Sequence, residues 1–260
     1  MILQDPRLRL AFIVTALISG AIFLITRGRD PEEMLPIVIG LGVLMAALQL
    51  WILFGWGQHS STITTARRYY LQGDFEAAAN LLSTIPEENI SADALALLGN
   101  TYRQMGELEK SAAYLEKALS YDPKHVQALF GLGRTCMVQG QYDKAIELLQ
   151  QALENGGRKA IRADIALALH LQEAPEEDVI RTAQSAARVL NLEQYRTLFI
   201  NYLLYNLVEE EQLGAYNIMQ KNAAGLAYWQ TEARRHANSD YGRRIASDVV
   251  KMREILKKEV

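Results

Sequence analysis

The side chains in this sequence best suited to bind a metal or act as nucleophiles are four histidines and one cysteine. His59, His125, His170 and His236 stand far apart, without a second histidine three or four residues away and without a cysteine beside them. Zinc sites draw their ligands from close-set pairs, so no metal site is expected. Cys136 is alone, which excludes an intramolecular disulfide and a site built on several thiolates. No glycine cluster forms a phosphate-binding loop, a dinucleotide fingerprint or a nucleophile elbow. Asn89-Ile90-Ser91 fits a glycosylation acceptor, but Ser91 reads better as a helix N-cap. These residues call for no catalytic site, no cofactor and no enzyme.

Recognition is the chemistry that remains, and charge is its first guide. The net charge of −3 argues against nucleic acid as the partner of the whole chain. It is unevenly spread: +2 over residues 1–70, −9 over 71–220 and +4 over 221–260. The basic tail holds Arg234, Arg235, Arg243, Arg244, Lys251, Arg253, Lys257 and Lys258. Such a cluster suits anionic lipid or an acidic partner, and a solvated helix face is its plainer account.

The elements that would position these groups begin with an apolar segment. Residues 10–26 are seventeen uncharged residues and residues 34–57 twenty-four. At 1.5 Å per residue they reach about 25 and about 36 Å, against a hydrocarbon core of about 30 Å. The expectation is a transmembrane helical hairpin over residues 1–58, closed by the short link Arg27–Glu33. A cleaved signal peptide is the competing account of the first span. Ala16 and Gly20 would permit close helix approach, and Trp51 and Trp56 sit at interfacial anchor positions. Arg7, Arg9, Arg67 and Arg68 outnumber Arg27 and Arg29, which places the remainder on the cytoplasmic (or stromal) side of a two-pass integral membrane protein.

From residue 59 the sequence repeats itself. Leu95, Leu98, Gly99, Tyr102, Gly106, Leu115 and Ala118 fall on Leu129, Leu132, Gly133, Cys136, Gly140, Leu149 and Ala152, always 34 residues later. Ser111 falls on Ala145. Extending the register backwards adds Ala66, Tyr69, Gly73, Phe75, Ala78 and Leu82. This period, with Gly99, Tyr102, Ala118 and Pro123 at its marked positions, resembles the tetratricopeptide repeat. Leu95 departs from the pattern where a Trp is common, and Gly157 where the next unit would carry Pro. The resemblance implies an all-α fold, an α-solenoid of helix pairs over residues 59–190. Its units run about 59–91, 92–125 and 126–159, with a degenerate fourth at 160–190. Small residues at Gly99 and Gly133 would face Ser111 and Ala145 where paired helices approach, while Gly106 and Gly140 end first helices. Beyond Leu190 the period is lost, and residues 191–260 read as helices that cap the stack.

The resemblance also implies where a partner would bind. In such proteins the first helices of successive units line a groove, and matching positions here are Arg67, Tyr70, Asp93, Asn100, Arg103, Gln104, Gln127, Phe130 and Arg134. Arg67, Asn100 and Arg134 share one repeat position and would form a ladder along it. The expected function is a membrane-tethered scaffold or assembly factor that recruits a partner protein. A fixed structural subunit of a membrane complex is the alternative.

Overall fold

The computed structural model describes residues 13–20, 31–50 and 57–257. The chain divides into two units, Met1–Arg68 and Tyr69–Val260. In the first, helices α1 (residues 13–20) and α2 (Pro31–Leu50) are linked by a hydrogen bond from the Gln49 amide to the Thr15 hydroxyl.

The expected transmembrane hairpin is overturned here. Among the described residues no helix is long and apolar enough to cross a membrane. The described part of α1 rises only about 12 Å. Helix α2 opens on Pro31, Glu32 and Glu33 and holds Pro36 inside. Its uncharged remainder from Met34 reaches about 25 Å, short of a core of about 30 Å. Ala16 and Gly20 are exposed, and a Cβ at Gly20 would meet nothing within 4 Å, so this pair brings no helix close. Residues 10–12, 21–26 and 51–56 of the expected spans, with Trp51 and Trp56, lie outside the described residues. The two-pass localisation and its cytoplasmic-side assignment fall with the hairpin that carried them.

Helix α3 (Gly57–Gln72) lends its last turn to the second unit, which continues as α4 (Phe75–Leu82), α5 (Ala92–Met105), α6 (Leu108–Tyr121), α7 (Val126–Val138) and α8 (Tyr142–Glu154). It then runs through α9 (Ile161–Leu171), α10 (Glu176–Ala187), α11 (Gln194–Leu207), α12 (Gln212–Lys221), α13 (Leu226–Arg235) and α14 (Asp240–Lys257). The first helix of each pair begins at Gly57, Ala92, Val126, Ile161, Gln194 and Leu226, every 32 to 35 residues. The helical interval thus persists beyond Leu190, although the side-chain signature there does not.

Local chemistry explains the boundaries. Asp74 and Ser91 accept hydrogen bonds from the amides of Ala77 and Ala94 and start α4 and α5. Gly73, Gly106 and Gly140 end α3, α5 and α7 in the left-handed region, at φ of 82°, 83° and 77°. There the amides of Asp74, Glu107 and Gln141 reach back to the carbonyls of Tyr69, Tyr102 and Cys136. The same closure recurs after α9, where Ala174 bonds to Leu169 and Glu173 adopts φ 58° in place of a glycine.

Close packing explains the small residues. A Cβ at Gly99 would lie 2.5 Å from Leu115 Cγ and 3.0 Å from the Ser111 carbonyl; one at Gly133 would lie 2.9 Å from Leu149 Cγ and 3.2 Å from the Ala145 carbonyl. The two pairs meet at equivalent points. Ala118, Ala145 and Ala152 are fully buried beside them. Tyr102 stacks on Tyr114 with ring centroids 5.4 Å apart. Pro123 lies exposed in the turn before α7. Gly99→Ala is expected to cost about 1–3 kcal/mol, because the α6 backbone must shift. Equal urea midpoints for variant and parent would contradict this close approach.

The last pair does not extend the row. Helix α13 turns back across the first helices, where Tyr228 and Glu232 meet Arg134 of α7 and Arg235 meets Gln104 of α5. Helix α14 is held to α9 and α11 through Asp248, which bonds to His170 at 3.0 Å and accepts from the Tyr202 hydroxyl at 2.8 Å. Trp229, Tyr241, Ile245 and Met252 of this pair are buried within the same core as Leu95 and Leu149.

Candidate protein-interaction site

A cavity of about 460 Å³ opens on the face made by the first helices. Tyr70 and Leu71 from the end of α3, Arg103 and Gln104 from α5, and Gln127, Phe130 and Arg134 from α7 form one side. Arg158 and Ile161 at the start of α9, Glu193, Tyr195 and Arg196 at the start of α11, and Tyr228 of α13 form the other.

The side chains expected at this face divide. Tyr70, Arg103, Gln104, Gln127, Phe130 and Arg134 come together around the cavity. Asn100 does not line it; its amide donates to the Ala96 carbonyl at 2.8 Å and packs where Gly131 leaves room. Asp93 is exposed and bonds to His125 at 3.1 Å. Arg67 is exposed and belongs to the first unit. The ladder of Arg67, Asn100 and Arg134 is therefore not assembled at this cavity.

Arg134 is a wall of the cavity, 4% exposed, and its guanidinium is already engaged. It donates to Asp164 at 3.2 Å, to the Tyr228 hydroxyl at 3.0 Å and to Glu232 at 3.5 Å. Asp164 also takes two bonds from Arg196, at 3.1 and 2.8 Å. Glu232 pairs with Arg235 at 3.4 Å and accepts from the Tyr241 hydroxyl at 3.2 Å. This network of buried charges ties α13 to α7 and, through Asp164, to α9 and α11. Asp164, Arg196, Tyr228 and Glu232 were not singled out from the sequence. One signal was available: Asp164 is an acid amid an apolar run, Ile165 to Leu169, on a helix otherwise buried.

Aromatic stacking completes the wall. Tyr195 and Tyr228 stack with centroids 3.8 Å apart, and the Trp229 indole donates to the Tyr195 carbonyl at 2.7 Å. Burial pushes the Tyr195 phenol up to about 12, although Arg196 and Arg134 pull it down. Burial also raises the Cys136 thiol, which is 1% exposed and thus not reactive in this state. Among the described residues no group of three or more His, Cys, Asp or Glu side chains could hold a metal ion.

Two cations of the basic tail are engaged with other parts of the fold. Arg235 donates to Gln104 at 2.6 Å, and Arg244 to the Leu171 carbonyl at 2.8 Å and to Glu173 at 2.9 Å. Arg243 and Arg244 both pair with Asp240. Lys258 lies outside the described residues. Arg234, Lys251, Arg253 and Lys257 remain exposed, as a solvated helix face requires, and the expected contact with anionic lipid has no support in the structure.

Two groups give the network a pH dependence. Burial drives the His236 imidazole below its ordinary 6.5, outweighing the Glu232 carboxylate 3.8 Å away. The unfolded chain then takes up the proton first, so stability is full above about pH 6.5 and declines as pH falls below it. Burial works to raise the Glu232 carboxyl, but Arg134, Arg103 and His236 hold it below 4.5, so its contribution is lost only at lower pH. Urea midpoints should fall between about pH 7.5 and about pH 5 for the parent and stay level for His236→Gln. An identical decline in both would refute the assignment.

Comparison with known proteins agrees with this geometry. A profile described as tetratricopeptide repeat matches residues 96–160 and 137–188. Among curated proteins, Protein CTR9 homolog of Arabidopsis thaliana is 27% identical over 121 residues, covering 45% of this chain and 11% of that protein. Among solved structures, MamA from residue 41 to its end, from Desulfovibrio magneticus RS-1, is 18% identical with a TM-score of 0.50, over 64% of this chain and 93% of that one. The MamA RS-1 ArsTM double mutant is 16% identical with a TM-score of 0.53, over 64% and 94%. These likenesses are of fold: tetratricopeptide helix pairs stacked side by side.

Proposed function

We propose that this chain is a protein-interaction scaffold that recruits a partner through the face made by its first helices. Tetratricopeptide repeats mediate protein–protein interactions, and residues 96–188 match them. The observation that carries the reading is the cavity over Arg103 and Phe130, where first helices of successive repeats leave side chains facing an opening instead of a neighbouring helix. The returning pair α13–α14 fills the face over α7 and leaves the part bordered by Tyr70, Gln104 and Gln127 for a partner. Arg134 in this reading shapes the site and holds α13 in place. Gln127 and Phe130 face the partner.

A photo-crosslinking side chain at Gln127 tests this directly. It should capture a defined protein that the same group at Glu109, exposed on α6 and away from the cavity, does not capture. Phe130→Ala should abolish the capture while the helical circular-dichroism spectrum is retained, the lost packing lowering the melting temperature only in part. The same products from both positions, or none from Gln127, would sink the proposal.

A further inference from the structure

We infer that the cavity over Arg103 is a receptor for an acidic side chain on a partner segment that also carries an apolar or aromatic anchor. This rests on the scaffold reading and names the class of its partner. Around the cavity and the wall behind it, five guanidinium groups meet three carboxylates. Asp164 is shared by Arg134 and Arg196, Glu193 by Arg196 and Arg158, and Glu232 by Arg134 and Arg235. Every carboxylate thus already serves two cations. Arg103 forms no ion pair with any described residue; Glu232, which its charge reaches, is already shared by Arg134 and Arg235.

Arg103 is 5% exposed, lines the cavity, and its Nε finds no hydrogen-bond partner. A guanidinium remains charged in any protein environment, so it cannot relieve its burial by releasing a proton. Burying it without an anion is unfavourable, and an incoming carboxylate supplies two parallel charge-assisted hydrogen bonds. The site is built for an anion that the chain itself does not provide.

The surroundings select what carries that anion. Tyr70, Leu71, Val126 and Phe130 give the cavity an apolar wall, which suits a large side chain next to the acid. Arg158 continues into a second cavity of about 490 Å³, where Lys159, Arg162 and Arg188 stand without a carboxylate and Leu190 is 88% exposed. A cationic ledge therefore leads away from Arg103. Residues 71–220 as a whole carry a charge of −9, so a long polyanion such as nucleic acid is repelled beyond the ledge. A short acidic segment with one or two apolar anchors satisfies both conditions.

Short random peptides displayed on phage, selected on the full chain, test the inference. Enriched sequences should pair Asp or Glu with an aromatic or large aliphatic residue. A synthetic copy of one, labelled with fluorescein, should bind about tenfold more weakly to Arg103→Gln and with an intermediate loss to Arg103→Lys, which keeps the charge without the fork. Arg103→Gln should change the melting temperature little, because Arg103 makes no ion pair among the described residues and reaches Glu232 only at longer range. Neutral or basic peptides, or acidic ones indifferent to Arg103→Gln, would overturn the anion receptor. If those peptides still needed Phe130, the scaffold reading would survive; if no peptide were enriched, both would fail. Enrichment of peptides like Val208–Glu211, with dimerisation of the chain on concentration, would make a second copy the occupant and overturn a separate partner.

Discussion

Asp164→Ala is expected to destabilise the chain by about 3–5 kcal/mol, the cost of breaking a buried charge network at the carboxylate that two cations share. The carboxylate is 3% exposed and is the joint between two arginines that are themselves 4% and 8% exposed. Its removal leaves Arg196 with Glu193 and Arg134 with Glu232 as their remaining carboxylates, loosening α13 and the cavity wall together. Urea unfolding measures the loss. Asp178→Ala provides the contrast, since the Asp178–Arg181 pair is on the surface and should change stability by about 0–1 kcal/mol. Comparable shifts for both substitutions would mean that Asp164 is not the buried hub described here.

Trp229→Ala should cost a similar amount, about 3–5 kcal/mol, for a different reason. The indole is 2% exposed, its ring lies 4.8 Å from that of Phe199 and edge-on to Tyr195 and Tyr228, and its nitrogen is satisfied by the Tyr195 carbonyl. Deleting it leaves a hole between α11 and α13 and removes the indole hydrogen bond to the Tyr195 carbonyl. The consequence reaches the site, because Tyr228 borders the cavity and stacks on Tyr195. Binding at Phe130 should therefore weaken along with the urea midpoint. A midpoint within about 1 kcal/mol of the parent would show that α13 is not anchored through this ring.

The repeat itself was legible from the residues. Gly106 and Gly140 mark helix ends because only a residue free of Cβ strain adopts a φ near 80° at little cost, and Gly99 and Gly133 mark contacts too tight for a side chain. Glu173 shows the limit of such signals: the fourth unit keeps the closing turn with a glutamate at φ 58°, so the geometry outlives its usual residue. The apolar first sixty residues invited a membrane reading because the uncharged stretch was counted over residues 34–57, whereas the described helix α2 is bounded at Pro31 and Leu50.

By itself the sequence determined the helices, their 34-residue interval and the small residues that let each pair close, because those contacts join residues within one or two units and recur with the period. Only the tertiary structure decided that α13 and α14 fold back over the row. The bonds that hold them, Arg134 to Tyr228 and to Glu232, span 94 and 98 residues and follow no repeat. That return turned Arg134 from a groove residue into a buried strut and left Arg103 without an ion pair among the described residues. Charge balance in a low-dielectric interior is a property of which residues meet in space, and no local pattern carries it.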